Sequence, residues 1–123
     1  MFTCFVKYKV DLTKLEAFKK YAHAWIELIE KYGGTHHGYF IPPIEIDALP
    51  DASFSFPGLG KRGSDDTGVA LFSFPDVETY EAYRKAVVDD EKCKAITAFF
   101  QEAKPFTSYE RNFLKPIFSS ETL

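Results

Sequence analysis

Residues 68–74 have the sequence Gly-Val-Ala-Leu-Phe-Ser-Phe, a nearly continuous apolar run. A short run of this kind, with its branched and aromatic side chains, is typical of a β-strand that is covered on both faces. The sequence therefore predicts a strand in the centre of a sheet, and the elements on either side of that strand decide the fold.

The chain that follows this strand is predicted to form two helical segments and a last strand. Pro75 and Asp76 open the first segment, and Asp76 can serve as its N-cap. Asp90 can cap a second segment, which ends before Pro105 because proline breaks a helix. Residues 106–114, Phe-Thr-Ser-Tyr-Glu-Arg-Asn-Phe-Leu, predict the closing strand.

The chain that precedes the central strand is predicted to form a strand, a helix and a second strand. Residues 2–10 alternate with a period of two, which indicates a strand. Thr13 and Glu16 have the spacing of a capping box, so a helix is expected to begin there and to end at the glycine pair 33–34. Residues 35–42 are aromatic and β-branched, which predicts a strand that ends near Ile41, before two prolines.

Residues 43–66 form a long connection between the second and third predicted strands. This segment is rich in Pro and Gly and has no sustained hydrophobic periodicity. Connections of this length are usually functional lids, binding loops or disordered segments. Residues 58–63, Gly-Leu-Gly-Lys-Arg-Gly, resemble a phosphate-binding loop but lack its spacing and its Ser or Thr after Lys, so a flexible turn is expected.

The order β-α-β-β-α-β predicts an α+β protein with the ferredoxin-like fold, in which a four-stranded antiparallel sheet carries both helices on one face. One such domain accounts for all of residues 1–123. The predicted strands are nevertheless apolar on both sides, and burial of apolar surface is worth about 25 cal/mol per Å². We therefore expect a homodimer, a dimeric α/β barrel, whose two sheets pack face to face and leave cavities between them.

Composition excludes several classes of function. The chain has 123 residues, 17% of them aromatic, and a formal net charge of −3. Without a basic excess, neither nucleic acid nor a membrane surface is an expected partner. Cys4 and Cys93 have no metal-binding spacing and fit apolar patterns, so we expect buried free thiols, no metal site and a location in the reducing cytoplasm.

Four segments resemble the NIPSNAP family, a branch of the dimeric α/β-barrel superfamily. They are residues 36–42 (HHGYFIP), 70–75 (ALFSFP), 80–84 (YEAYR) and 108–116 (SYERNFLKP). The likeness covers nearly the whole chain except the 43–66 loop, which is longer than the usual connection in the family. The resemblance implies the fold firmly and an activity only loosely, since the superfamily includes cofactor-independent monooxygenases and haem-handling proteins. We expect no cofactor, with haem as the alternative.

His36 and His37 are the first candidates for a functional site. Neighbouring residues of a regular strand point to opposite sides, so these two histidines are not expected to bind one metal ion. One of them must face the covered side, where an imidazole can exchange a proton near pH 7. Regular alternation groups His37 with Tyr39 and His36 with Phe40. The alternative is that the histidine has only a structural role and forms a hydrogen bond with the backbone or with Glu110.

Tyr109 and Arg111 are the second pair of candidates. They share one side of the last predicted strand, and together they can bind a carboxylate or an enolate, because the arginine fork matches such oxygens. The structural alternative is a salt bridge between Arg111 and a glutamate at the dimer rim. His23, at the edge of the first helix, is a candidate haem ligand by analogy with relatives, and an exposed surface histidine is the simpler interpretation.

Two classes of function are compatible with these residues. The first is a cavity between subunits that binds a small aromatic or otherwise apolar molecule through His36 or His37, Tyr39, Tyr109 and Arg111. If such a protein is an enzyme, cofactor-independent oxygenation is the least demanding reaction. The second class is a non-catalytic module that binds a partner protein or haem.

Overall fold

The computed structural model of the protein describes residues 1–43 and 49–118. The chain forms four strands and three α-helices in the order expected from the sequence. They are β1 (Phe2–Val10), α1 (Leu15–Lys31, preceded by a 3-10 turn at Leu12–Lys14), β2 (Thr35–Phe40), β3 (Thr67–Phe74), α2 (Val77–Val87), α3 (Glu91–Ala103) and β4 (Phe106–Leu114).

The four strands form one antiparallel sheet in the order β2-β3-β1-β4. The apolar strand β3 lies inside the sheet, as predicted, next to the alternating strand β1. The short β2 and the nine-residue β4 are the two edges. This arrangement confirms the α+β class and the ferredoxin-like fold.

The core lies between the helices and one side of the sheet. Most residues of β1 and β3 on this side are almost completely buried, as are the apolar residues of the helices that pack on them. They include Cys4, Val6, Val10, Phe18, Leu28, Ala70, Phe72 and Phe74. The alternation in β1 thus separates a buried helix-facing side from an opposite side, on which Lys7 and Lys9 are exposed. Both cysteines are free and buried, as expected.

The start of α1 differs from the prediction. Asp11, and not Thr13, accepts the capping bond: its carboxylate accepts from the backbone N–H of Thr13 at 3.0 Å and from the Thr13 hydroxyl at 2.7 Å. The capping box of Thr13 and Glu16 is therefore not formed, because the Thr13 hydroxyl already donates to Asp11 and the first turn is a 3-10 turn. The cap at Asp76 is confirmed by its bond from the Thr79 N–H at 2.7 Å.

Two features at the end of α1 position this helix, the first where the chain turns toward the sheet and the second where it contacts α3. Gly33 has a φ of +94°, a conformation that favours glycine, and it follows the last turn of α1 as predicted. At the start of α3, Asp90 caps the backbone N–H of Lys92 and also accepts bonds from Lys31 and Tyr32. The second contact holds the end of α1 against the start of α3.

The long connection contains no helix or strand in its described part, residues 49–66. Residues 44–48 of the predicted loop lie outside the described residues. Within residues 1–43 and 49–118, no helix is long and apolar enough to cross a membrane.

Candidate functional site

A cavity of about 270 Å³ lies between the helix-facing side of the sheet and the helices. Aromatic side chains form most of its wall. They include Tyr8, Tyr21, Trp25, Tyr39, Phe100 and Tyr109. The remaining wall includes Thr97 of α3 and two arginines, Arg84 of α2 and Arg111 of β4. A more open, apolar groove between α2 and the ends of β1 and β4 brings together none of the candidate residues of the sequence analysis.

The phenol groups of the cavity converge around Tyr8. The ring of Tyr8 lies 6.1 Å from that of Tyr39, 6.5 Å from that of Tyr21 and 6.2 Å from that of Tyr109, measured between centroids. Burial raises the pKa of Tyr8, Tyr21 and Tyr39, and the neighbouring phenols raise the pKa of Tyr21 and Tyr39 further. These hydroxyl groups are therefore neutral at pH 7 and can both donate and accept hydrogen bonds.

A bulge in β2 changes which residues lie on the same side of the sheet as each histidine. His36 pairs with Phe72 and Gly38 pairs with Leu71, so His37 is an extra residue between them. Gly38 has a φ of +113°, a value that suits glycine. His36 consequently lies on the same side as Tyr39, their rings stacked at 4.9 Å, and the expected grouping of His37 with Tyr39 was wrong.

His36 faces the helices but is not a base. Its Nδ1 accepts a hydrogen bond from the Gly38 N–H at 2.9 Å, so the proton of the neutral ring sits on Nε2. Burial, with a smaller contribution from the charge of His37, lowers the pKa of His36 to about 4. Nε2 is buried and has no hydrogen-bond partner among the described residues. His36 is thus a neutral, stacked ring at pH 7.

His37 lies on the other side of the sheet. Its Nε2 is 2.8 Å from the Ser73 hydroxyl, which in turn is 2.6 Å from the Thr3 hydroxyl. Neither histidine contacts Glu110. His37 therefore belongs to a polar cluster on the side that the helices leave open, away from the aromatic cavity.

Tyr109 and Arg111 lie on the helix-facing side of β4. In the register of the sheet, Tyr109 pairs with Tyr8 and Arg111 pairs with Val6, whose side chain is buried beneath the helices. These two residues and Tyr39 line a cavity within one chain, so their expected position between subunits was wrong. Paired residues of antiparallel strands share a side of the sheet. Because Tyr8 and Val6 lie on the buried side of β1, Tyr109 and Arg111 lie on that side as well.

Arg111 forms no salt bridge with any of the described residues, so the alternative role that the sequence suggested for it is not seen there. Glu110 pairs with Lys7 and points to the opposite side of the sheet. The nearest polar contact of the Arg111 guanidinium is a weak one, from Nη1 to the Tyr80 hydroxyl at 3.5 Å. Arg111 therefore remains available to a ligand at the cavity.

The cavity does not fit a haem held by histidine. No histidine of the described chain lines it, and His23 is an exposed residue of α1. Its volume of about 270 Å³ is also slightly below the roughly 300–1,000 Å³ that is usual for small-molecule pockets. In addition, the described residues contain no group of three or more His, Cys, Asp or Glu side chains placed to hold a metal ion.

Several residues of this site were not singled out from the sequence. Tyr8 belongs to the alternating first strand, and Tyr21 and Trp25 belong to the buried face of α1. The sequence signal for them is general: aromatic residues make up 17% of the chain, more than one small core needs. Arg84 carries no such signal, because it is an exposed arginine on a helix.

No protein-family model and no curated protein matches the sequence. The fold, however, is shared with solved structures. A NIPSNAP family protein of unknown function from Agrobacterium tumefaciens is 17% identical, with a TM-score of 0.68 over 98% of this chain and 91% of that one. An uncharacterised NIPSNAP domain protein from Burkholderia xenovorans is 18% identical, with a TM-score of 0.65 over 99% of this chain and all of the other.

A third solved structure shares the fold. A protein from Nitrosomonas europaea that is described as a candidate antibiotic biosynthesis monooxygenase is 10% identical, with a TM-score of 0.59 over 96% of this chain and all of the other. These likenesses confirm that the chain has the fold of the NIPSNAP proteins, as the sequence segments implied.

Proposed function

We propose that the protein binds a small aromatic or otherwise apolar molecule in the cavity between its sheet and its helices. The observation that carries this proposal is the aromatic wall around about 270 Å³ of space inside one chain. Such walls stabilise a flat ligand through edge and face contacts with its ring. The neutral hydroxyls of Tyr8, Tyr21 and Tyr39 supply the few polar contacts that orient a ligand.

A neutral aromatic probe tests this proposal directly. Trp25 is the only tryptophan of the chain and lines the cavity, so its indole N–H gives a single, site-specific NMR signal. We expect naphthalene-2-carboxamide to shift this signal saturably and to give a matching binding isotherm by calorimetry. The absence of saturable binding by both methods would contradict the proposal.

Oxygenation of a bound phenol without a cofactor is a second candidate function. It is supported by the fold shared with the candidate monooxygenase and by the enclosure of the ring among apolar groups. In this reaction O₂ oxidises the phenol: a C–O bond forms at the para carbon, the para C–H and the phenol O–H are lost, and a quinone and one water result. The substrate supplies all four electrons, so no other reductant is needed.

The proton of the phenol has to leave without a protein base. No Asp, Glu or His of the described chain lines the cavity, and Tyr8, Tyr21 and Tyr39 hold their protons at pH 7 because burial raises their pKa. Arg111 can stabilise the phenolate once the proton has passed to solvent through the open side of the cavity.

Because the phenol has to lose its proton to solvent, we expect the rate with 1-naphthol to rise with pH toward the ordinary pKa of a phenol, about 10. An oxygen electrode should record one O₂ consumed for each quinone formed, and no uptake by protein that binds 1-naphthol would exclude this reaction.

We also propose that the chain forms a homodimer through the side of the sheet that the helices leave open. Apolar residues lie on this side among polar ones, and in one chain they are either partly buried or exposed. They are Phe5, Phe40, Val69, Leu71 and Leu114. Packing of two such sheets removes this surface from water, which favours association.

The dimer proposal is tested by a charge on this side of the sheet. Phe40 is 56% exposed, so Phe40→Glu leaves the core intact but places a charge in the proposed interface. We expect sedimentation velocity to show a dimer for the unchanged protein and at least about tenfold weaker dimerisation for Phe40→Glu, since burial of an unpaired charge is costly. Val88→Glu, on a 60% exposed position of the helical side, is the control and should remain dimeric. A monomer at all concentrations would contradict the proposal.

A further inference from the structure

The charged groups at the cavity are all positive. Arg84 and Arg111 line it, and in the described chain no Asp or Glu does. Four tyrosines of the wall, Tyr8, Tyr21, Tyr39 and Tyr83, stay neutral at pH 7, because burial raises the pKa of each. A ligand in this cavity therefore meets two guanidinium groups and, among the residues that the structure describes, no compensating negative charge.

The two arginines come from separate elements that only the fold brings together. Arg84 lies on α2 and Arg111 on β4, on either side of the cavity. Both act on the same buried groups: burial raises the pKa of the Cys4 thiol to about 11, and the charges of Arg111 and Arg84 oppose this rise. They oppose the rise at Tyr83 in the same way. Their positive potential thus reaches the interior of the site.

Neither arginine is neutralised within the described residues. No carboxylate of residues 1–43 and 49–118 lies within 4.0 Å of either guanidinium, although ion pairs form elsewhere on the surface. Arginines that serve only as solvated charges do not need to converge on an aromatic cavity. A planar carboxylate, by contrast, matches the guanidinium fork and neutralises the positive charge.

We infer that the ligand is an aromatic carboxylate, whose ring occupies the aromatic cavity and whose carboxylate is bound by Arg84 and Arg111. This inference rests on the proposed function, since it needs the cavity to hold a ring. It adds Arg84 to the site and gives the ligand a charge and a direction: the apolar end points inward and the acidic end toward the arginines at the rim. Both arginines are exposed in one chain, so solvent and salt screen the interaction.

Two probes of the same shape separate this inference from the proposed function. Naphthalene-2-carboxylate and naphthalene-2-carboxamide differ in charge but share the ring that the cavity would hold. We expect calorimetry at low salt to show about tenfold tighter binding of the carboxylate, a typical gain from charge-assisted hydrogen bonds. Added NaCl should reduce this preference and leave the affinity for the carboxamide unchanged.

Variants assign the preference to the two arginines. Arg84→Gln and Arg111→Gln should each weaken binding of the carboxylate by about threefold, which is half of the preference in free energy, and leave binding of the carboxamide unchanged. Lys85→Gln removes a neighbouring exposed charge that does not line the cavity, so it should leave both affinities unchanged. Circular dichroism confirms that each variant is folded.

The outcomes distinguish the two claims. If both probes bind equally, or if the arginine variants weaken both probes alike, the carboxylate inference is wrong and the proposed function stands. If Lys85→Gln weakens the carboxylate as much as Arg84→Gln does, the preference reflects general surface charge and the inference is also wrong. If neither probe binds, the proposed function fails and this inference fails with it.

Discussion

Thr97→Phe is expected to weaken binding of naphthalene-2-carboxamide by about hundredfold, because the larger ring occupies space that the ligand needs. Thr97 is an exposed residue of α3 that lines the cavity. Its side chain can therefore be enlarged without rebuilding the core, and Thr and Phe have similar helix propensities. The loss should appear in the calorimetric isotherm and in the NMR signal of Trp25.

The matched control is Ala98→Phe, the same new ring one residue further along α3. Ala98 is exposed and does not line the cavity, so its replacement should leave binding within about twofold of the unchanged protein. Thermal unfolding of both variants verifies that the fold is kept. Equal affinities for the two variants would mean that the ligand binds elsewhere, and the cavity would lose its role.

His36→Phe is expected to remove most of the acid sensitivity of the fold between pH 7 and pH 4. The folded protein holds the pKa of His36 near 4, about 2.5 below the ordinary value of 6.5, because the ring is buried. Between these two values the unfolded chain takes up a proton that the folded chain refuses. The free energy of unfolding therefore falls as the pH falls from 6.5, and the penalty is complete below about pH 4.

The size of this effect follows from the two pKa values. Their separation corresponds to about 3 kcal/mol of unfolding free energy at pH 4 relative to pH 7. His36→Phe keeps the stacking on Tyr39 and Phe72, loses the bond from the Gly38 N–H and removes the buried Nε2–H, which has no partner among the described residues. The last two effects oppose each other at about 1 kcal/mol each, so the main change should be that the variant loses about 3 kcal/mol less than the unchanged protein on acidification.

Urea unfolding at a series of pH values measures this difference. Carboxylates with lowered pKa, such as Asp11 and Asp76, also destabilise the fold in acid, but they are common to both proteins and cancel in the comparison. His23→Gln is the control, since His23 is exposed, and it should follow the unchanged protein at every pH. Parallel curves for His36→Phe and the unchanged protein would show that His36 is not buried in its neutral form.

The proposals also bear on the alternative of a non-catalytic module. A protein that binds neither naphthalene probe but forms the sheet-mediated dimer would retain that alternative, with the exposed Phe54, Phe56 and Leu59 of the long connection as the next surface to test. A protein that binds the carboxylate but consumes no O₂ with 1-naphthol would be a binding protein. The measurements thus separate the enzymatic from the non-enzymatic interpretation.

Local sequence patterns determined most of the fold. The alternation of residues 2–10, the apolar run at 68–74 and the cap at Asp76 each depend on residues close together in the chain, and each element lies where the pattern placed it. The start of α1 is the exception, because Asp11 takes the capping position in place of Thr13, which lies inside the 3-10 turn that precedes the helix. Such local competition is not resolved by spacing alone.

The sequence by itself also pointed to an aromatic site with Tyr39, Tyr109 and Arg111, whereas only the tertiary structure decided where that site lies. Two features of register made the difference: the bulge at His37, and the pairing of Tyr109 with Tyr8. Both arise between strands far apart in the chain, and a shift of one residue in such a pairing moves every side chain to the other side of the sheet. The element order depends on local patterns, so the sequence determined it. The presence of Arg84 and Arg111 at one cavity depends on contacts between distant elements, so only the fold decided it.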